Sequence, residues 1–297
     1  MITLEQLQAG IVLPIDKPRQ WTSFQAVNKI KAVVRNTYGL KKFKIGHAGT
    51  LDPLATGLLL VCVGKATKSI PQLQDGDKVY TGTLVLGATT PCFDLEQAID
   101  RYYPYQHITR ELLDETVHQF TGTLMQVPPM FSAVKVNGQR AYELAKAEGR
   151  GRKAELADAP GTSDLRPPTS DLIKAKPVNV YSFEITDFRV PIEAIAPIDS
   201  IDTIASIAPS PQNTHLYDHP QGEVPPHLPQ ADFRIHCGKG TYIRSLARDL
   251  GTALGSGAFL SALRREKIGD YTVDRALQLD QVEDYLKRTV GSRPERV

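Results

Sequence analysis

Cysteine is scarce in this chain. Cys62, Cys92 and Cys237 are the three present, far apart, with no CxxC pair and no Cys/His metal-ligand spacing. That excludes a disulfide framework and a zinc module, and it suits a reducing, cytoplasmic setting in which Cys62 is a small core residue. Long apolar runs are missing, so no stretch reaches the length of a membrane span. The start, Met1-Ile2-Thr3-Leu4-Glu5-Gln6, does not have the pattern of a secretory leader. Strong net charge is absent as well. At +2 over 297 residues, charge balance alone does not announce a nucleic-acid partner. There is no internal repeat. What remains is an ordinary globular composition, 41% hydrophobic and 23% charged, long enough for one large domain or two smaller ones.

Charge is more informative locally. Lys41-Lys42-Phe43-Lys44 is one basic cluster, and Arg264-Arg265 with Lys267 is another. Taken alone, each reads as a solvated face.

The pattern of apolar residues places the elements. Ile11 to Lys17 reads as a short strand stopped by Pro18, and Thr22 or Ser23 then caps a helix with Phe24, Val27, Ile30 and Val34 as its stripe, ending at Gly39. The run Leu58-Leu59-Leu60-Val61-Cys62-Val63 is a buried strand, and Lys78 to Gly87 alternates as another. Thr109 caps a helix from Glu111 to Phe120. Met125 to Val136 is extended and proline-interrupted, Asn137-Gly138 is a type I′ hairpin turn, and Arg140 to Ala147 is helical. Val178 to Val190 and Ala231 to Cys237 read as strands. Thr241 caps a helix ended by Gly251; Phe259 to Leu263 and Ile268 to Val273 are short apolar pieces; Gln281 to Lys287 is a closing helix. Two stretches, about 149–175 and 191–230, are rich in Pro, Gly, Ser and Asp and read as surface insertions, since loops of that length are unusual inside a compact domain. Strands outnumber helices without regular alternation, which points to an α+β class with a mostly antiparallel sheet.

One stretch concentrates unusual chemistry: Gly46-His47-Ala48-Gly49-Thr50-Leu51-Asp52-Pro53-Leu54-Ala55-Thr56-Gly57, running directly into the apolar strand. Pro53 cannot donate a backbone hydrogen bond and biases Asp52 towards an extended or turn conformation. A single carboxylate thus sits on a stiff, tightly turned loop beside a buried segment. That is a way to preorganise a reactive acid; a turn with a capping Asp is the plainer alternative.

This stretch resembles the active-site signature of the TruB family of pseudouridine synthases. Other blocks agree in family order: Asp16-Lys17-Pro18 with Thr22-Ser23, Gly64-Lys65-Ala66-Thr67-Lys68, Lys78-Val79-Tyr80, and Gln126-Val127-Pro128-Pro129-Met130-Phe131-Ser132-Ala133-Val134-Lys135 with Gly138 and Tyr142. They continue with Cys237-Gly238-Lys239-Gly240-Thr241-Tyr242-Ile243-Arg244 and Leu263-Arg264-Arg265. Many blocks in one order exclude a chance match.

The resemblance implies a pseudouridine synthase fold: a mixed, mostly antiparallel central sheet flanked by helices, with the active-site cleft across it. It implies one catalytic domain over 1–280 and a short C-terminal helix and tail over 281–297, the form without a C-terminal PUA domain. The implied reaction converts uridine-55 in the T-loop of tRNA to pseudouridine by cutting the N1–C1′ bond, turning the base and rejoining it through C5. The expected partner is tRNA, with no metal, no organic cofactor and no membrane, and with monomer as the default state.

Roles follow residue by residue. Asp52 is the essential carboxylate, which either attacks the nucleoside covalently or assists loss of the C2′ proton. Arg244 is the guanidinium that keeps it ionised and oriented. Tyr80 stacks on the target base and is a candidate late general base, given a lowered pKa. His47 fills the space that the flipped uridine leaves. Tyr242 and Leu263 line the base pocket, and Lys17, Lys65 and Lys68 are candidate phosphate contacts. Without the resemblance, Tyr80, Tyr242 and Leu263 read as core, His47 as a loop residue, and Arg244 and the lysines as surface charges. One family position departs: the block Gly-x-x-Thr-Asp-Thr-x-Asp reads Gly87-Ala88-Thr89-Thr90-Pro91-Cys92-Phe93-Asp94, with Pro91 in place of the first Asp. Two other classes of function compete: an RNA-binding chaperone that refolds tRNA, and a sister synthase acting on another RNA.

Overall fold

The structure, a computed structural model, describes residues 2–132, 135–136, 139–140, 173–191 and 223–287. In chain order its elements are α1 (Leu4–Ala9), β1 (Ile11–Lys17), α2 (Ser23–Tyr38), β2 (Ile45–Ala48), β3 (Thr56–Val63), α3 (Ile70–Asp75), β4 (Lys78–Leu86), β5 (Ala88–Thr89), β6 (Arg101–Tyr102), α4 (Arg110–His118), β7 (Gly122–Gln126), β8 (Lys135–Val136), β9 (Gln139–Arg140), β10 (Lys176–Arg189), β11 (Gln230–Cys237), α5 (Ile243–Ala253), β12 (Ala258–Ile268), β13 (Tyr271–Thr272) and α6 (Val282–Lys287). The main sheet has the order β1-β3-β12-β4-β11-β10-β7, with β2 beside β3 and β13 beside β12. β1 and β2 run antiparallel to β3, β7 to β10 and β13 to β12, whereas β12 runs parallel to β3. The expected α+β class with a mixed, mostly antiparallel sheet is what the chain forms. Arg140, expected to start a helix, is instead in β9; the expected turn at 137–138, the rest of that helix to 147 and most of both insertions lie outside the described residues.

The described chain divides into two compact units. The first comprises residues up to Thr83, Phe233–Lys239 and residues from Ala262 onward. Its centre is β3, where Leu58 through Val63 are all fully buried, as the unbroken apolar run predicts. A strand covered on both faces has no need of polar alternation, and each such side chain contributes roughly 1.5–3 kcal/mol on burial. In α2 the Thr22 hydroxyl accepts from the Gln25 backbone and the Gln25 side chain accepts from Thr22, a reciprocal capping box, and Gly39 ends the helix in the left-handed region. Its buried face is Ala26, Val27, Ile30, Val33 and Val34. Phe24, expected in that stripe, stands outside it at 70% exposure. The N-terminal helix α1, unforeseen in sequence, carries the same kind of cap between Thr3 and Gln6.

The second unit is Leu84–Asp232 with Gly240–Ser261. Here α4 is capped by Thr109 as expected and buries Leu113, Thr116 and Val117. Two expectations about α5 change. Its N-cap is Tyr242, not Thr241, and the cap makes no side-chain bond. The Tyr242 backbone is instead satisfied by the buried Gln126, whose amide accepts from Tyr242 N at 2.8 Å and donates to Tyr242 O at 3.1 Å. Gly251 lies inside the helix, because a Cβ there would come 2.5 Å from the Ala258 nitrogen; the glycine allows the close approach of β12 and does not end the helix. The two expected apolar pieces near 259–273 are largely one strand, β12, whose polar residues Arg264 to Lys267 masked its continuity.

Candidate functional site

In the first unit the Asp52 loop is held on both sides. The first residues of the glycine-rich stretch form β2, where His47 pairs with Val61 of β3, so His47 stands on a strand and not in a loop. Ahead of Asp52, the buried Ser23 hydroxyl donates to Leu51 O at 3.1 Å and accepts from Leu51 N at 2.9 Å. After it, Pro53 O accepts from Gln20 N at 2.8 Å and from Lys17 Nζ at 3.3 Å, and Ala55 N closes a turn onto Asp52 O at 3.2 Å. Gln20 takes a left-handed backbone, φ 67°, to present that N–H. The half-buried Asp52 is therefore a fixed acid, the arrangement the Asp-Pro pair predicts.

Arg265 is the residue that sequence reasoning missed. The expected solvated cluster splits by strand alternation: Arg264 reaches out and makes a two-pronged pair with Asp16 at 2.8 and 3.0 Å, whereas Arg265 points inward at 1% exposure. Its guanidinium donates to Leu58 O at 2.8 Å, Gly49 O at 3.0 Å and Thr50 O at 3.4 Å, and its charge acts on the Tyr80 phenol. The only sequence signal was its place in the Leu263-Arg264-Arg265 block, since inward and outward positions look alike in a polar run.

The other candidates in this unit fall into two groups. Tyr80 is buried at 9% exposure, and burial pushes its phenol up, against the opposing pull of Arg265. A raised phenol is neutral, and Tyr80 offers an aromatic face and a hydrogen-bonding group. His47 is half-buried and its pKa is lowered, first by burial and then by the Arg265 charge; its Nδ1 has no hydrogen-bond partner among the described residues. Leu263 is half-buried on β12, with its carbonyl 3.5 Å from the Thr56 hydroxyl. Lys17 departs from a phosphate-contacting role. It is 0% exposed, and its ammonium donates to Trp21 O at 2.6 Å, Pro18 O at 2.9 Å and Pro53 O. Burial lowers its pKa to about 8, against the raising effect of Asp52. Lys65 and Lys68 do face solvent. With Lys42 and Lys44 they line a cavity of about 270 Å³ floored by Leu7, Leu40, Phe43 and Val63, with no acidic residue in its wall. Four lysines and an aromatic ring suit a polyanion with a stacking face.

In the second unit Arg244 is buried at 5% exposure in the first turn of α5. It donates to Phe131 O at 2.8 Å and Cys92 O at 3.1 Å, and its Nε stands 3.7 Å from Asp94 Oδ2. Asp94 is itself fixed, accepting from Glu96 N at 2.9 Å through its carboxylate and from the Thr90 hydroxyl at 2.7 Å through its carbonyl. The departure at Pro91 finds its reason here. Phe93 N bonds Thr90 O at 3.1 Å, closing a turn whose second residue is the exposed Pro91, a position for which the fixed proline φ is suited. Burial and the neighbouring Asp94 push the Cys92 thiol up to about 12, so it is an inert core group. Tyr242 is half-buried beside Arg244 and held by Gln126.

The comparisons with known proteins agree with one another. The chain is 44% identical over 287 residues to the tRNA pseudouridine synthase B of Flavobacterium johnsoniae, covering 96% of this chain and 100% of that one. It is 40% identical to the protein of the same name from Parabacteroides distasonis, over 95% of each chain. The model of the TruB family pseudouridylate synthase N-terminal domain matches residues 35–159, and that of the tRNA pseudouridylate synthase B C-terminal domain matches 244–295. Among solved structures, a chain of the crystal structure of a Cbf5-Nop10-Gar1 complex has the same fold, with a TM-score of 0.56 at 24% identity over 94% of this chain. This chain spans 55% of that one, about half its length. This chain belongs to the TruB family of pseudouridine synthases.

Proposed function

We propose that this protein converts uridine-55 in the T-loop of tRNA to pseudouridine, with Asp52 as the essential carboxylate. The observation that carries the reading is the framing of Asp52, with Ser23 bound to Leu51 on one side and Lys17 and Gln20 bound to Pro53 on the other. The relatives named tRNA pseudouridine synthase B support the substrate. The uridine leaves the folded loop to reach the carboxylate, and His47, whose ring is kept neutral by burial and by Arg265, fills the vacated space. Tyr80 offers its ring to the extruded base, and its neutral phenol donates a hydrogen bond more readily than it takes a proton. Arg244, held by the carbonyls of Phe131 and Cys92, serves as the cation for Asp52 in the reacting complex, and Tyr242 and Leu263 shape the base site. The lysines at 65 and 68 receive phosphates of the tRNA backbone. In the reaction the N1–C1′ bond breaks, the C5–C1′ bond forms, C5 loses its proton and N1 gains one, so no oxidant or reductant is required. The setting is the cytoplasm and the acting form a monomer.

Asp52→Asn is the test. It is expected to abolish pseudouridine formation in a tRNA transcript while tRNA binding stays within a few-fold of wild type. Product at the wild-type rate would overturn Asp52. Mapping pseudouridine in tRNA from cells with and without the protein tests the position; an unchanged T-loop would refute uridine-55.

A further inference from the structure

We propose that Arg265 is a positioning residue for the reaction: its buried guanidinium ties the backbone on both sides of Asp52 into one frame. The proposal rests on the reading of Asp52 as the reactive carboxylate. Three donors of the fork are assigned, Nη2 to Gly49 O, Nη1 to Thr50 O and Nε to Leu58 O, so one side chain grips the strand-to-loop exit before Asp52 and the strand after it. The main chain of the same residue pairs with Gly57 in the parallel β12–β3 ladder. At Gly57, with φ 97°, a Cβ would come 2.4 Å from Arg265 O, so loop exit and Arg265 are locked by backbone as well as side chain. A planar fork can span such divergent carbonyls; an ammonium, with its donors on one point, cannot.

Charge makes the assignment more than packing. Among the described residues no carboxylate oxygen lies within 4.0 Å of this guanidinium, although it is 1% exposed. A buried cation satisfied only by carbonyl dipoles leaves a positive field around itself. The titratable groups that feel it are Lys17, His47, Lys78 and Tyr80, and Lys17 and Tyr80 also feel Asp52. Through its bonds to Gly49, Thr50 and Leu58, Arg265 sets the position of the acid without touching substrate.

The test is the single-turnover rate on tRNA, read beside tRNA affinity and the fraction of folded protein. Arg265→Lys keeps the charge and loses the fork. It is expected to lower the rate on the order of 100-fold with tRNA affinity unchanged. Arg265→Gln removes the charge as well as the fork and is expected to lower the rate at least as far, tRNA affinity again unchanged. If the rate falls only in proportion to the loss of folded protein, or tRNA affinity falls with it, Arg265 is a core strut and the proposal is overturned. Should neither fold, the Arg265 Nε–H resonance of ¹⁵N-arginine-labelled protein decides. It is expected to shift on Asp52→Asn and on binding a T-loop RNA, and a resonance indifferent to both overturns the proposal. Activity of Asp52→Asn at the wild-type rate would instead remove the reading on which the proposal rests, whatever Arg265 does.

Discussion

Arg244 Nε stands 3.7 Å from Asp94 Oδ2, with the two side chains only 6% and 9% exposed. Little solvent reaches the pair, so neither charge is screened and each orients the other. Asp94→Asn keeps the shape and removes the charge. Breaking a buried pair by neutralising one partner costs roughly 3–5 kcal/mol, part of which the carbonyl bonds of Arg244 retain. On the proposed catalytic role of Arg244, the expected outcome is a urea midpoint lowered measurably and a single-turnover rate reduced about tenfold or more, about 1.4 kcal/mol, because the guanidinium is then held by its carbonyl bonds alone. Unchanged rate and midpoint together would show the pair to be incidental.

Ser23 bonds both polar groups of the Leu51 backbone. Ser23→Ala leaves that buried N–H and C=O without their partner, at about 1–3 kcal/mol. Urea unfolding should report the loss. The rate of pseudouridine formation should fall further than tRNA binding does, since the loosened residue adjoins Asp52.

Gly57 has φ 97° and no room for a methyl group, the obstacle being the Arg265 backbone rather than a side chain that could swing away. Gly57→Ala is expected to cost more than ~1–3 kcal/mol and to disturb the β12–β3 ladder. Circular dichroism melting of the purified variant checks it; a melt like that of wild type would contradict the geometry.

Lys17 offers a pH test whose sign is fixed. Its pKa falls from 10.5 in the unfolded chain to about 8 in the fold, because burial disfavours the charged form. Between those values the unfolded state binds more protons than the folded one, so stability rises with pH across the window. The wild type should gain stability relative to Lys17→Met as pH is raised from about 8 towards 10.5. A flat difference would mean that the ammonium keeps its proton in the fold.

Local rules were read well where local chemistry decides. The caps at Thr22 and Thr109, the end of α2 at Gly39 and the buried strand after the Asp52 loop all follow from short-range pattern. Patterns misled where a distant neighbour decides. Gly251 looks like a helix stop and is a contact with Ala258; Phe24 fits a helical stripe but has nothing above it to bury against. Lys17 and Arg265 look like surface charges because burial of a cation depends on carbonyls supplied by other segments.

The sequence by itself determined the family, the α+β class and the carboxylate at Asp52, because these reside in residue types and in spacings along one chain. Only the tertiary structure decided what holds that carboxylate still. It turned Lys17 and Arg265 inward, raised the Tyr80 phenol and brought Ser23 to Leu51. The reason is physical: a buried charge is tolerated only where backbone carbonyls converge on it, and that convergence exists once strands distant in sequence lie side by side.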